Sequence, residues 1–340
     1  MNKRIEYIDF IKAIAIFAMV FAHCGLRMSH SDERLEGWIH LWHMPVFFII
    51  SGMVLNRVKW VGWHNFGAFF VSRFKSLIVP FIVWGTICNV WIFTLLNICG
   101  IGGGKWLDIR LALLNYIDYN IVTISGTSWF LPAMFLTELV FILIVNVIGL
   151  KKWTYLLYTC IVGIGLITIT QNRIDLPLAL DVLPFTLGFF AIGVLFQTDI
   201  HRVNLSKRAF IIMAVILVGC YWMPGLHCNI RTSSYQPLYI GWLVCLCISL
   251  VMIFMAKQVV PHIQKMKLYS FVKETGQNTL VIYLLHMEML RILPLQKLGG
   301  NSVLQTTIMQ ILVTISVLYI MIVASRLIRK YLPWTLGKSK

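Results

Sequence analysis

Charge is what this sequence has least of. Charged residues fill 12% of its 340 positions, and only 13 of them are Asp or Glu. A soluble domain carries roughly 25%, so a water-exposed globule of this length lacks the ionic groups to cover its surface. A cytosolic enzyme is excluded on that ground. A disordered chain is excluded too, because 59% of the residues are hydrophobic. The eight cysteines lie mostly inside apolar runs, which excludes a disulfide scaffold. They also lack metal-ligand spacing, so no bound metal or resident cofactor is expected. Strand-like alternation of apolar and polar residues is missing, which excludes a β-barrel. A Gly-x-Ser-x-Gly elbow is absent as well, so no serine nucleophile is invoked. Long soluble insertions are also lacking. The expected organisation is one polytopic membrane domain over 1–340, with no appended soluble domain.

What the chain has instead is long continuous apolar runs and a mean hydropathy of +0.81. The fold class this implies is an all-α integral membrane protein, since helices satisfy the backbone within lipid. A span needs about 20 apolar residues. Ten are predicted, at 8–26, 41–57, 76–99, 128–149, 153–170, 179–197, 209–226, 237–256, 276–295 and 303–325. The first follows Lys3 and Arg4 like the start of a signal peptide. Asp9 and Lys12 interrupt it, and no small-residue cleavage site follows His23, so it is expected to remain as a span. Between spans 3 and 4, Gly102–Gly104 precede a predicted surface helix from Lys105 to Tyr119.

With the N-terminus placed in the cytoplasm, 20 Lys and Arg fall on the cytoplasmic side and 8 outside, while Lys12 lies within span 1. The positive-inside rule expects such a split, with both termini cytoplasmic. Arg73 and Lys75, ahead of span 3, are counted at the cytoplasmic surface. The basic tail Arg326–Lys340 is expected on anionic lipid. The net charge of +16 thus has a topological explanation, and nucleic acid is not an expected partner. Cys220 and Cys228 both fall near the outer side. A disulfide and two small apolar side chains are the alternatives.

Ionisable groups within spans cost about 2.5–3.5 kcal/mol each on insertion scales and mark function by default. Here they are Asp9, Lys12, His23, His43, Glu138, His286 and Glu288. Lys12 and His23 share one helix face, about 16–17 Å apart along the axis. Asp9, three residues earlier, can neutralise Lys12. A snorkelling lysine with a hydrogen-bonded histidine is the bland alternative. His40 and His43 enter span 2 from the outer side, at the depth where His23 ends span 1. Trp129 opens span 4 and reads equally as an aromatic-belt residue. Asn278 and Tyr283, in the segment before His286, suit hydrogen bonds across helices.

These clusters, in this order, resemble the membrane acyltransferase-3 family. Arg4-Ile-Glu-Tyr-Ile-Asp9-Phe-Ile-Lys12, followed by His23, looks like the family's basic residue, ten positions and histidine. His43-Met-Pro-Val-Phe-Phe-Ile-Ile-Ser-Gly52 resembles the motif of its second span. Arg73-Phe-Lys-Ser-Leu-Ile-Val-Pro80, Trp129-Phe-Leu-Pro132 and Gly276-Gln-Asn-Thr-Leu-Val-Ile-Tyr-Leu-Leu-His286 match later blocks. Lys12 stands where many members have Arg, which keeps the charge but loses the bidentate fork.

The resemblance implies an O-acyltransferase in the bacterial cytoplasmic (inner) membrane. It would move an acyl group, usually acetyl, from cytoplasmic acetyl-CoA to a hydroxyl of a surface glycan or lipid-linked sugar. On that reading His23 is the general base, because imidazole changes charge near neutral pH. His43 orients His23, stabilises the oxyanion or contacts the acceptor. Lys12, Arg73 and Lys75 take the donor phosphates, and Asp9, Trp129, Glu138 and His286 assist in binding. Direct attack and an acetyl-histidine intermediate both remain open. A secondary transporter or flippase of a glycan-related substrate also explains buried Lys, Glu and His, as a proton relay. It leaves the outer clustering of histidines unexplained.

Overall fold

The computed structural model describes residues 5–98, 129–197, 206–238 and 240–338. The predicted surface helix at Lys105–Tyr119 lies outside the described residues.

Among the described residues the architecture is helical, with one short hairpin. In chain order the elements are α1 (Glu6–Gly25), α2 (Glu33–His40), α3 (His43–Met53), α4 (Arg57–Trp60), α5 (Trp63–Arg73), a π-helical turn (Phe74–Ile78) and α6 (Val79–Ile98). Then come α7 (Phe130–Ile148), α8 (Lys152–Gly165), α9 (Leu183–Leu195) and α10 (Lys207–Trp222). A hairpin follows, with β1 (His227–Asn229) antiparallel to β2 (Ser234–Gln236). The chain ends with α11 (Gly241–Ile263), α12 (Lys267–Gln277), α13 (Thr279–Ile292), α14 (Leu295–Leu298) and α15 (Val303–Tyr331).

Among the described residues, six helices are long and apolar enough to cross a membrane. Four of the ten expected spans are not among them: those at 153–170 and 209–226 hold shorter apolar helices, Thr154–Thr170 and the 16-residue α10, and two take another form. The segment at 41–57 holds the 11-residue α3, about half the length that a 30 Å hydrocarbon core needs. The segment at 276–295 is not one helix. Its backbone breaks at Asn278, where φ is −111° and ψ is 14°, between α12 and α13. Such interrupted helices are placed inside bundles, where neighbours satisfy the freed backbone groups. Here the Asn278 amide donates to the Glu274 carbonyl at 2.7 Å and accepts from the Ser325 hydroxyl at 2.6 Å.

α1 runs through the centre. It is apolar except along the face that carries Lys12 and His23 and at Glu6 and Asp9 in its first turn, no residue of it is exposed, and α3, α11, α12, α13 and α15 all touch it. A helix with so little polar surface belongs in a core. By contrast, α10 buries only Leu217 and turns Ile211, Ile212, Val215 and Val218 outward. That outward surface is what lipid solvates.

Glycines let the central helices approach. A Cβ on Gly52 of α3 would strike the Phe190 carbonyl of α9, and one on Gly193 of α9 would strike the Ile49 carbonyl of α3. The crossing is reciprocal, as small-residue helix packing in membranes tends to be. Gly276 meets the Asp9 carbonyl of α1 in the same way.

The structure corrects one sequence expectation, decides between two alternatives at a second place and narrows a third. Arg73 and Lys75 do not precede the third apolar stretch. That stretch runs over Trp63–Cys88 and contains both, and the π turn begins at the next residue, Phe74. Cys220 and Cys228 form no disulfide, since both are free thiols. Cys228 is buried, and Cys220 is partly buried. Nor is the basic tail wholly free for lipid. Arg326 forks onto the Glu274 carboxylate with two bonds of 2.7 Å, and Arg329 donates to the Gln277 carbonyl at 2.6 Å. These side chains tie α15 to α12.

Candidate active site

α1 and α13 run parallel, and α3 runs opposite to both. This follows from which residues line three successive chambers along the bundle. The first, of about 210 Å³, is lined by His23, His40, His43, Trp129, Arg231 and Tyr283 among others. The second, of about 260 Å³, has Lys12, Ser51, Arg73, Glu138, Thr279 and Tyr283 in its wall. The third, of about 620 Å³, includes Asp9, Lys12, Asn56, Arg57, Gln277 and Thr279. Tyr283 and Met44 border both the first and the second chambers. Lys12 and Thr279 border both the second and the third. Each boundary is shared, so the chambers are stacked end to end along α1. Lys12 and His23 mark two levels of that stack, about 16–17 Å apart.

His23, in the wall of the first chamber, meets His286 behind it. His23 Nδ1 lies 2.9 Å from His286 Nε2, and the rings stack with centroids 5.1 Å apart and planes 10° apart. His286 is fully buried. Its Nδ1 faces two carbonyl oxygens of its own helix, Tyr283 at 2.8 Å and Ile282 at 3.1 Å. A carbonyl only accepts, so Nδ1 of His286 carries the proton and its Nε2 is a lone pair. His23 then donates from Nδ1 to that lone pair. The remaining nitrogen of His23, Nε2, is left basic. Orienting a histidine through its second nitrogen is how a fixed tautomer is selected.

His43 does not orient His23 by hydrogen bonding, contrary to one of the expected roles. Its Nδ1 donates to the Ile39 carbonyl at 2.8 Å. Its ring stands edge-on to His40, with centroids 5.1 Å apart. His40 in turn donates to the Glu36 carbonyl at 2.7 Å. Neutral His43 therefore presents Nε2 as an acceptor and has no proton there for an oxyanion. Trp129 is 7% exposed and faces the first chamber, so its place is not a lipid-facing belt. The Tyr283 hydroxyl accepts the Phe130 N–H at 3.2 Å and pins α13 to the start of α7.

In the second chamber Arg73 Nε lies 2.8 Å from a carboxylate oxygen of Glu138. Glu138 is buried midway along α7. The Arg73 guanidinium also lies over the Phe69 ring, 5.4 Å from its centroid. The π turn begins at the next residue, Phe74. Such turns are frequent at functional sites because they re-aim side chains. Lys75 is exposed and lines none of the three chambers. Asp9 accepts from the Gln277 amide at 3.2 Å and lines the third chamber beside Lys12. Glu288, near the other end of α13, is 3.9 Å from Arg291.

The structure thus gathers His23, His43 and Trp129 in one chamber, with His286 bonded to His23 behind its wall, Lys12, Arg73 and Glu138 in the next, and Asp9 with Lys12 in the last. Sequence reasoning missed Arg231 and Asn229. The hairpin carries them to the first chamber, and α2 and α11 support it. The only signal was the density of polar residues from His227 to Ser234, between two apolar spans.

No curated protein and no solved structure matches the chain. A family model, described as an acyltransferase domain, matches residues 5–326. That is nearly the whole chain, so this multi-pass membrane protein belongs to the acyltransferase-3 family.

Proposed function

We propose that the protein is an O-acyltransferase that passes an acyl group, by default acetyl, from cytoplasmic acyl-CoA to a hydroxyl of a cell-surface glycan or lipid-linked sugar. The observation that carries this reading is the stack of chambers ending at a histidine whose Nε2 is left basic.

The donor enters from the third chamber, which faces the cytoplasm in this reading. Lys12 and Arg57 line it, and α13 begins there at Thr279. A helix N-terminus and two cations suit the phosphates of CoA. The slender pantetheine arm then threads the second chamber past Lys12 and Arg73 and delivers its thioester to His23. The acceptor arrives from the opposite end. His23 Nε2 takes the proton of its hydroxyl as the oxygen attacks the thioester carbon. The carbon–sulfur bond breaks, the proton returns to the leaving sulfur, and CoA departs as the thiol. His286 holds the tautomer throughout, and His43 Nε2 accepts from another hydroxyl of the acceptor. Transfer in one step needs no protein nucleophile.

Mass spectrometry of surface glycans tests the proposal, comparing cells with the gene, without it, and with His23→Ala. The expected result is an added acyl mass, about 42 Da for acetyl, that requires both the gene and His23. Glycans that do not change with the gene would overturn it and favour a transporter.

A further inference from the structure

Arg73, Ser76 and Leu77 line the second chamber, and the π turn at Phe74–Ile78 contains two of them and follows the third. An α-helix here would need residue 80 to donate to the Ser76 carbonyl, and Pro80 has no N–H. Within the turn the Val79 N–H goes to the Phe74 carbonyl instead of the Lys75 carbonyl. The π partner of Lys75 is residue 80, again the proline. The Lys75 carbonyl thus loses both of its intrahelical donors. A ladder interrupted in this way does not hold its own shape, although it carries a wall of the chamber.

The end of the chain meets this turn from behind. A 3-10 turn at Pro333–Leu336 is followed by Gly337 in the left-handed conformation, with φ 68° and ψ 20°. Pro333, Thr335 and Leu336 are buried. Leu336 packs with Trp84 of α6, Val281 of α13 and Ile328 of α15. Leu280 lies against the same cluster and also lines the second chamber. Gly337 lies so close to the π turn that a Cβ on it would strike the Lys75 carbonyl. The 3-10 turn therefore backs two walls of the chamber, the π turn and the start of α13.

We infer that Pro333–Gly337 is a positioning strap, which fixes the π turn so that Arg73 meets the acyl-CoA donor, with Gly337 as the residue that sets the contact. This rests on the acyl-transfer reading above. Gly337 acts through the Lys75 backbone on Arg73, two residues earlier. Glu138 holds the guanidinium, and the strap holds the backbone that carries it.

The test titrates the purified full chain in lipid nanodiscs with acetyl-CoA by calorimetry, in the absence of acceptor. Gly337→Ala should weaken binding about tenfold, the loss of one hydrogen bond to a charged group. Gly225 is the control, since it too is left-handed, with φ 75°, but has nothing within 4 Å of its Cβ position. Gly225→Ala carries the backbone strain without the contact and should bind as the wild type does. On an Arg73→Met background, Gly337→Ala should weaken binding by less than about twofold more, because residues acting through one contact are not additive. If Gly337→Ala does not accumulate, Leu336→Ala takes its place, with the same two expectations. Unchanged binding in the strap variant overturns the inference, and so does an equal loss in Gly225→Ala. A loss that adds in full to that of Arg73→Met also overturns it, and makes the turn a structural support only. A wild-type chain that does not bind acetyl-CoA removes the acyl-transfer reading itself and the strap with it.

Discussion

His23 and His286 are 263 residues apart in sequence and share one hydrogen bond of 2.9 Å between parallel rings. That bond decides which nitrogen of His23 keeps its lone pair. His286 has no other means of doing this, since its Nδ1 is committed to the carbonyls of its own helix.

His286→Ala is therefore expected to lower kcat by about 100-fold, within the range for a general base that is present but misoriented. The KM for acyl-CoA should stay unchanged. His286→Gln supplies a carbonyl oxygen for the His23 proton and should recover part of the loss. Steady-state kinetics on both variants checks this. If Ala and Gln are equally defective, the role is packing, not orientation.

Lys12 borders both inner chambers and sits at the far level of the stack from the chemistry. Lys12→Ala should raise the KM for acyl-CoA about tenfold or more, with a smaller change in acceptor KM. Lys12→Arg should preserve donor use. Titrating acyl-CoA at fixed acceptor separates the two; an unchanged donor KM would remove Lys12 from the phosphate site.

The Arg73–Glu138 pair joins the π turn to α7, with the carboxylate 5% exposed and the guanidinium 28%. Removing one partner of a buried pair typically costs about 3–5 kcal/mol, because a charge is left behind. Glu138→Leu and Arg73→Met should each lower the melting temperature in detergent. The double variant should be more stable than the sum of the two losses predicts. Strict additivity would show that the pair is not coupled. The Arg73→Met activity loss should also appear in donor KM.

Glycines offer a contrast that needs no activity. Gly193→Ala places a methyl group on the Ile49 carbonyl, and Gly276→Ala on the Asp9 carbonyl. Backbone atoms there cannot step aside alone, so both should destabilise, by at least the 1–3 kcal/mol typical of overpacking. Gly163 in α8 and Gly219 in α10 have nothing within 4 Å of that position. Alanine at either should be neutral or stabilising, by up to about 1 kcal/mol. Thermal unfolding of the four variants checks the ordering.

Much of this was legible in the residues themselves. The scarcity of charge and the long apolar runs require a helical membrane protein, because lipid leaves no other partner for the backbone. The few ionisable groups inside those runs point to the candidate site, since each is costly to keep there. The face shared by Lys12 and His23 is a matter of helical period alone. Hydropathy could not tell a full span from a half-length one, because both read as apolar. Hence α3 and the break at Asn278 went unseen. Nor could it place Arg73, which sits inside an apolar stretch because Glu138, 65 residues further on, neutralises it.

Sequence by itself determined the class, the family likeness and the inventory of reactive side chains. Which of those side chains face one another was decided only by tertiary structure. α1 and α13 lie parallel, so His286 reaches His23. A three-residue strand brings Arg231 over the same chamber. The physical reason is range. Helical period and hydropathy act over one or two turns, whereas these pairings depend on how helices far apart in the chain pack around α1.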